Sequence, residues 1–156
     1  MTKAMFPGSF DPFTSGHLNI LERALTIFDT VIVAIGVNQD KNGFYSVEQK
    51  MDIIRQATKG MKGVEVEYYD GLTVDACKQF GVRHIVRGVR NFMDFEVEQS
   101  NADANKRLYP EVDTLIIPTA QEYSHISSSA VRDIIRHGGD TGTFMPEGVI
   151  LPRIDV

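Results

Sequence analysis

A turn-forming segment near the start of the chain carries more small and polar residues than a turn requires. The segment MFPGSFDPFTSGHLNI, residues 5–20, passes from apolar residues through Gly8 and Ser9 into a helical pattern beginning near Thr14. Gly8 has no side chain, so an anionic group can approach the backbone closely, and Ser9 adds a hydroxyl donor. The free N–H groups and positive dipole of a helix start attract phosphate. The segment therefore predicts a phosphate-binding turn.

The histidine of this segment favours phosphate binding over metal chemistry. Thr14 or Ser15 can cap the helix, which places Gly16 and His17 in its first turn. A histidine there is most simply a hydrogen-bond donor to phosphate oxygens, and the alternative is a ring packed against the preceding strand. The four histidines lack metal-ligand spacing, and no G-x-x-x-x-G-K-[ST], G-x-G-x-x-G, G-x-S-x-G or H-E-x-x-H motif occurs. We therefore expect direct transfer by positioning and charge stabilisation, without a covalent intermediate.

Basic residues follow two further apolar runs. Lys41 lies in the polar segment NQDKNG, and Arg87 and Arg90 flank Gly88 in RGVRN. Two guanidiniums separated by a glycine can grip phosphate groups from two sides. The whole chain has a formal charge of −5, with 16 Lys+Arg against 21 Asp+Glu. A local basic cluster on an acidic chain favours a small anionic ligand over a nucleic acid.

Three consecutive serines form another candidate for phosphate binding. Ser127, Ser128 and Ser129 lie in PTAQEYSHISSSAVR, where a helical pattern begins. One serine is enough to cap a helix, and the other two add hydroxyl and backbone donors that suit phosphate. His125, in the same segment, has no chemistry that the pattern itself assigns.

Short apolar runs alternate with helical patterns and must position these groups. The predicted strands are 3–8, 31–37, 64–69, 84–88 and 114–119. An apolar stripe at helical spacing runs from Leu18 to Phe28 and is widened by Ile27. Further helices are predicted over 72–80, 92–107 and 127–137, and another from Ser46, which forms a capping box with Gln49.

This alternation predicts an α/β fold: a Rossmann-like, doubly wound sheet of about five parallel strands with helices on both faces. In such sheets the ligand lies beyond the carboxyl ends of the strands, near the point where strand order reverses. The turn after 3–8, the Lys41 segment, the two arginines and the three serines each follow a different strand. We therefore expect them at one edge of the sheet.

The composition fits one globular domain without membrane spans. The 156 residues are 42% hydrophobic and 24% charged, which suffices for a full core. No apolar run approaches the roughly 20 residues that span a bilayer. Cys77 is the single cysteine and lies in a helical pattern, so we expect a buried structural thiol in a reducing, cytoplasmic environment.

Two short motifs resemble the signatures of the nucleotidyltransferase superfamily. Residues 14–17 match T/H-x-G-H, and residues 126–129 match I-S-S-S/T. The block RGVRNFMDFEVE (87–98) and the opening FPGSFDP resemble bacterial phosphopantetheine adenylyltransferases in particular. The resemblance covers nearly the whole chain and implies a single nucleotidyltransferase domain, 1–156. It also implies a reaction in which ATP and 4′-phosphopantetheine give dephospho-coenzyme A and pyrophosphate.

The resemblance implies a role for each matching residue. His17 would stabilise the transition state at the α-phosphate, Lys41 and Arg90 would neutralise phosphate charge, and Ser128 would hold the β- and γ-phosphates. The implied contacts with phosphopantetheine are Ser9, Lys41, Thr73 and Arg87. The implied ATP site consists of Ser9, Phe10, His17, Gly88, Val89, Arg90, Glu98, Tyr123, Ser124, His125, Ile126, Ser127, Ser128 and Ser129. Mg²⁺ arriving with ATP, a homohexamer and feedback inhibition by coenzyme A are implied as well.

Three other functions share parts of this pattern. Nicotinate mononucleotide adenylyltransferases carry both signatures, although the block RGVRNFMDFE argues against them. A cytidylyltransferase would use CTP in place of ATP. A non-catalytic nucleotide sensor could retain the pocket, but intact His17, Lys41, Arg90 and Ser128 disfavour it.

Overall fold

A five-stranded sheet runs through the computed structural model, which describes residues 1–37 and 43–154. The strands lie in the order β3-β2-β1-β4-β5, and each pairing between neighbours is parallel. Their bounds are β1 Lys3–Gly8, β2 Thr30–Val37, β3 Val64–Asp70, β4 His84–Val89 and β5 Asp113–Pro118. The predicted strands are confirmed to within one residue at each end.

The predicted helices are also confirmed, and most begin at the polar caps that the sequence offers. They are α1 Ser15–Ala24, α2 Val47–Ala57, α3 Thr73–Phe80, α4 Phe92–Leu108 and α5 Ser128–Arg136, with a short 3-10 turn at Gln121–Tyr123. The capping box before α2 is present: the Gln49 N–H donates to Ser46 Oγ at 3.1 Å, and the Ser46 N–H donates to Gln49 Oε1 at 3.0 Å. Helix α5 ends before Gly138, whose φ of 71° lies in the left-handed region.

One detail of the predicted first helix is wrong. Helix α1 ends at Ala24, with Leu25 as its C-cap, so the apolar stripe does not continue as a helix to Phe28. Ile27 follows the end of the helix and is 55% exposed, rather than part of the buried stripe. The apolar residues keep helical spacing in the sequence beyond the point where the backbone leaves the helix.

The sheet is covered on both faces, as its nearly continuous apolar strands require. Val31, Val33 and Ile35 of β2 pack with α1, α2 and α5, whereas Ile32 and Ala34 pack with α3 on the opposite face. This alternation gives the doubly wound architecture that the sequence predicts. Cys77 of α3 is fully buried in the second core, which confirms its predicted burial, and that burial raises the pKa of its thiol to about 11.

The order of the strands reverses between β1 and β4, which lie side by side. The carboxyl ends of these two strands, at Gly8 and Val89, open on the same edge of the sheet. Ligands bind at this position in doubly wound folds. Within the described residues no helix combines the length and apolarity that crossing a membrane requires.

Candidate active site

The turn after β1 is held by a buried aromatic ring. Phe10 is 1% exposed and has a φ of 45°, a left-handed conformation that costs a non-glycine residue about 1–3 kcal/mol. Its ring packs edge-on against Phe6 and against His17, each with centroids 5.1 Å apart. A Cβ on Gly8 would lie 3.0 Å from this ring. A side chain at position 8 would therefore crowd the Phe10 ring as well as close off the backbone.

His17 is fixed by the helix cap. Thr14 is the N-cap of α1, and its N–H donates to His17 Nδ1 at 2.9 Å, while the His17 N–H donates to Thr14 Oγ1 at 3.4 Å. Because Nδ1 accepts a hydrogen bond, the neutral ring carries its proton on Nε2. Among the described residues nothing accepts a hydrogen bond from Nε2, so this donor remains for a ligand.

The surroundings of His17 keep its ring uncharged. The side chain packs among Phe6, Phe10 and Phe13, with ring centroids 5.1–6.4 Å away. Burial is the main cause that lowers the pKa of His17 to about 3, and the positive charges of Arg87 and Arg90 lower it further. The ring packs against aromatic residues and also lines a cavity, and its donation to phosphate stays a prediction. His17 is a neutral hydrogen-bond donor.

Each arginine after β4 is held by a carboxylate of α4. Arg87 donates from Nε to Glu98 Oε2 and from Nη2 to Glu98 Oε1, both at 2.7 Å, and its Nη1 donates to the carbonyl oxygen of Pro7. Arg90 donates from its backbone N and from Nε to Asp94 Oδ2, at 3.0 and 3.2 Å. The basic cluster is therefore neutralised in part by acids from the next helix, which the order of residues does not reveal.

The three serines before and within α5 have three different hydrogen bonds. Ser127 is the N-cap, and its Oγ accepts from the Ala130 N–H at 3.1 Å. Ser128 Oγ donates to the carbonyl oxygen of Pro12 at 2.7 Å, and Ser129 Oγ accepts from Arg132 at 3.0 Å. The start of α5 is thereby tied to the turn after β1.

Two cavities open on this edge and share a wall. The first, which we call the His17 cavity, has a volume of about 310 Å³ and lies between the turn after β1, Gly88, Arg90 and the start of α5. The second, which we call the Thr73 cavity, has a volume of about 370 Å³ and lies between β1, Thr73, Tyr69 and helix α4. Gly8, Ser9 and Arg87 line both cavities. Two ligands, one in each cavity, would therefore meet at these three residues.

Most of the predicted site residues lie at the two cavities, and their binding roles stay predictions. The members of the predicted ATP site that line the His17 cavity are Ser9, Phe10, His17, Gly88, Arg90, Ile126, Ser127, Ser128 and Ser129. Ser9, Thr73 and Arg87 of the predicted phosphopantetheine site line the Thr73 cavity, and so does Glu98, which the resemblance assigns to ATP. The remaining members do not line the His17 cavity: Val89 is buried, Tyr123 and Ser124 are half-buried beside it, and His125 is exposed. Lys41 lies outside the described residues.

Several lining residues were missed by the sequence reasoning, although helical spacing could have found them. Arg132 lines the His17 cavity and donates from Nη1 to the carbonyl oxygen of Asp11 at 2.7 Å. It follows Ser128 by four positions and so lies on the same face of α5. Asn101 and Asn105 line the Thr73 cavity and share a face of α4 with Glu98.

The donors at this edge suit phosphate groups. The His17 cavity presents guanidinium, hydroxyl and N–H groups. In the part of the chain that the structure describes, no group of three or more His, Cys, Asp or Glu side chains could hold a metal ion. The chemistry that this arrangement supports is the binding and alignment of phosphates.

Comparison with known proteins gives consistent family matches. Residues 5–134 match the family model described as cytidylyltransferase-like. The chain is 47% identical over 149 residues to a phosphopantetheine adenylyltransferase of Flavobacterium psychrophilum, covering 96% of this chain and 98% of that protein. It is 45% identical over 150 residues to one of Heliobacterium modesticaldum, covering 96% and 89% of the two chains.

A solved structure supports the fold. The crystal structure of a bifunctional NMN adenylyltransferase/ADP ribose pyrophosphatase from Francisella tularensis is similar, with a TM-score of 0.74 and 19% identity. The match covers 95% of this chain but 46% of that chain, so the present chain spans about half the length of that structure. At this identity the likeness shows the Rossmann-like fold alone.

Proposed function

The chain belongs to the phosphopantetheine adenylyltransferase family, and on that premise we propose that it transfers the adenylyl group of ATP to 4′-phosphopantetheine. The products are dephospho-coenzyme A and pyrophosphate. The observation that carries the proposal is the wall of Gly8, Ser9 and Arg87 that the two cavities share. ATP in the His17 cavity and phosphopantetheine in the Thr73 cavity would bring an acceptor phosphate next to an α-phosphate.

In the proposed mechanism the acceptor phosphate attacks ATP directly. An oxygen of the phosphopantetheine phosphate bonds to the α-phosphorus, the bond from that phosphorus to the α–β bridging oxygen breaks, and pyrophosphate leaves. His17 donates a hydrogen bond from Nε2 to an α-phosphate oxygen and stabilises the charge that builds up there. A ring with a pKa of about 3 remains neutral, so it acts as a fixed donor and not as a proton shuttle.

The proposed positions of the other phosphate groups follow from the donors around each cavity. Arg90 and the start of α5, with Ser128 and Ser129, would hold the β- and γ-phosphates. Arg87 and Ser9 would hold the phosphate of phosphopantetheine, with Thr73 further along the same cavity. Lys41, outside the described residues, is proposed to neutralise phosphate charge on the strength of the family resemblance.

We propose that Mg²⁺ enters with ATP, bound mainly by phosphate oxygens and water. The residues around the His17 cavity fit this arrangement because they are donors to phosphate rather than ligands for a cation. When bound, the ion would neutralise charge on the triphosphate. The chain's own residues orient the phosphates and supply the hydrogen bond at the α-phosphate.

Self-association, proposed here as a homohexamer, is supported by exposed apolar residues of α4. Five large apolar residues of this helix are exposed: Phe92, Met93, Phe95, Val97 and Leu108. The four that lie in its first two turns form an exposed apolar patch, and such patches mark interaction surfaces. Light scattering on the purified protein tests the assembly. We also propose a cytoplasmic location, and inhibition by coenzyme A through its pantetheine arm in the Thr73 cavity.

Pyrophosphate release tests the proposed function. With ATP and phosphopantetheine together we expect release, and with either alone we expect none. Release with nicotinate mononucleotide as acceptor, or with CTP as donor, would favour one of the sister enzymes. Binding of ATP without turnover of any of these pairs would favour a nucleotide sensor and contradict the proposal.

A further inference from the structure

Arg87 occupies the wall between the two cavities, and its guanidinium is seated on Glu98. Both carboxylate oxygens of Glu98 accept from Arg87 at 2.7 Å, in a bidentate arrangement, and the carbonyl oxygen of Pro7 accepts from the remaining nitrogen. Charge-assisted bidentate pairs fix the plane of a guanidinium as well as its position. Of the five N–H groups of Arg87, three are engaged in these contacts and two remain for a ligand.

Glu98 is buried on a helix whose other residues are exposed or half-buried. Among the residues of α4, all of which the structure describes, Glu98 alone is buried, with 9% of its side chain exposed. A carboxylate loses hydration on burial and must be compensated by hydrogen bonds from a cation, which Arg87 supplies. Glu98 lines the Thr73 cavity and not the His17 cavity. Each of its oxygens accepts a hydrogen bond from Arg87, and the side chain lies on the phosphopantetheine side of the wall.

We propose that Glu98 is a positioning residue that holds the Arg87 guanidinium for the phosphate of the acceptor substrate. The proposal rests on the proposed function, since it assigns the Thr73 cavity to phosphopantetheine. Glu98 acts through Arg87: it keeps the two remaining N–H groups at the shared wall. The negative charge of Glu98 by itself repels phosphate, so its benefit must come from the position that it imposes.

Helix α4 offers a matched control one turn earlier. Asp94 accepts from Arg90 Nε at 3.2 Å, and Arg90 lines the His17 cavity. The two carboxylates are four residues apart on one face of α4, and each holds a different arginine. Asp94→Asn therefore makes the same chemical change on the ATP side that Glu98→Gln makes on the acceptor side.

Two variants of Glu98 separate position from charge. Glu98→Gln keeps the shape but removes the charge and places an amide donor against a guanidinium donor. Glu98→Asp keeps the charge but withdraws the carboxylate by one methylene, so the bidentate seat is lost. If Glu98 acted by its charge alone, Glu98→Gln would tighten the binding of phosphopantetheine and Glu98→Asp would leave it unchanged.

Calorimetry with phosphopantetheine and with ATP, each titrated alone, tests the proposal on the full-length protein. We expect both Glu98 variants to weaken phosphopantetheine binding about tenfold to a hundredfold, the scale for losing a hydrogen bond to a charged group. ATP affinity should fall less than phosphopantetheine affinity. Asp94→Asn should show the reverse preference. Adding Glu98→Gln to Arg87→Ala should weaken phosphopantetheine binding no further, because the residue it acts through is already gone.

Several results would overturn the proposal. One is a loss of ATP affinity in Glu98→Gln that equals or exceeds the loss for phosphopantetheine, since Glu98 would then contact the nucleotide. Unchanged phosphopantetheine binding in Glu98→Asp is another, and a further loss in the double variant is a third. Cooperative thermal unfolding of each variant shows that it is folded. Failure of the proposed function is distinguishable, because the unsubstituted protein would then bind no phosphopantetheine, which overturns both.

Discussion

The turn after β1 and the segment after β4 present donors to the same edge of the sheet, but they hold these donors by different means. His17 is fixed by a cap residue three positions away and by the rings around it, and it is neutral. Arg87 and Arg90 are charged and are fixed by carboxylates of α4. His17 depends on local backbone geometry, Arg90 depends on a carboxylate four residues away, and Arg87 depends on the docking of α4.

This difference separates two ways of stabilising phosphate. A neutral donor in a buried site needs no counter-charge and keeps one orientation, so it contributes where charge develops during the reaction. An arginine brings charge to the substrate, but at this edge each arginine shares that charge with an acid. We therefore expect substitutions of His17 to act mainly on turnover, and substitutions of the arginines to act mainly on binding.

The largest expected effect follows from removing the neutral donor. His17→Ala should lower turnover by about 10²–10³-fold, the usual scale for the loss of one transition-state donor. The affinity for ATP should change much less, because the donors of the arginines and of α5 remain. Steady-state pyrophosphate release together with calorimetry measures the two quantities.

His137→Ala is the matched control for this substitution. His137 follows α5, has a side chain that is 76% exposed, and lines neither cavity. We expect its removal to leave turnover unchanged. Near-normal turnover in His17→Ala would show that the start of α1 supports the reaction without the imidazole, which would contradict the role given to His17.

Removing an arginine should shift binding instead. Arg87→Ala should weaken phosphopantetheine binding about tenfold or more, and ATP binding less, because a charge-assisted contact to the acceptor is lost. It should also lower the free energy of unfolding by up to about 3 kcal/mol, since Glu98 is left buried without its partner. Calorimetry and denaturant titration measure these effects.

The double variant Arg87→Ala/Glu98→Gln controls for the stability effect. It removes both charges and should recover part of the lost stability while leaving phosphopantetheine binding weak. If Arg87→Ala weakened ATP binding more than phosphopantetheine binding, the assignment of Arg87 to the acceptor would be wrong.

The same contrast explains what the sequence could predict. The strands can be predicted from apolar runs. The position of His17 in the first turn of α1 can be predicted from a cap residue three positions earlier. Short-range sequence patterns are enough for both predictions. The choice between Thr14 and Ser15 as the cap was open in the sequence, and the structure assigns it to Thr14.

Contacts between residues further apart could not be predicted in this way. Arg87 belongs to a basic cluster in the sequence, yet in the fold it meets Glu98, 11 positions later, and the carbonyl oxygen of Pro7. These contacts depend on how α4 docks against the sheet. Gly8 is similar: its place in a phosphate-binding turn was predicted, but the Phe10 ring beneath it was not.

A change of pH should act on stability through the neutral state of His17. The folded protein holds the pKa of His17 at about 3, whereas the unfolded chain has the ordinary value of 6.5. Between these values the unfolded chain binds a proton that the folded protein does not. Above pH 6.5 the ring is neutral in both states and does not reduce the free energy of unfolding. Below pH 6.5 the free energy of unfolding falls by about 1.4 kcal/mol for each unit by which the pH is lowered.

Denaturant titrations at pH 7, 6 and 5 measure this slope. His17→Ala lacks the titrating ring, so its stability should fall less steeply than that of the unsubstituted protein over the same range. Parallel curves for the two proteins would mean that the pKa of His17 is the same in the folded protein as in the unfolded chain. In that case the ring would become a cation below pH 6.5, and its contrast with the arginines would disappear at acidic pH.

The smallest expected effect concerns the start of α5, which the chain ties to the turn after β1. Ser127→Ala removes the N-cap bond to the Ala130 N–H and should lower the free energy of unfolding by about 1 kcal/mol. Ser46→Ala removes the equivalent cap of α2, away from both cavities, and should cost a similar amount.

The two caps should differ in their effect on ATP binding. This difference tests whether the local placement of donors at the start of α5 matters for binding. Fraying of α5 shifts the backbone donors near Ser128 and the carbonyl of Pro12 that Ser128 contacts, so Ser127→Ala should raise the KM for ATP severalfold. Ser46→Ala should leave that KM unchanged despite the equal loss of stability. An equal rise in both variants would mean that global stability, and not the local placement of donors, controls ATP binding. His17 and the start of α5 form one preorganised site only if the KM for ATP rises in Ser127→Ala and stays unchanged in Ser46→Ala.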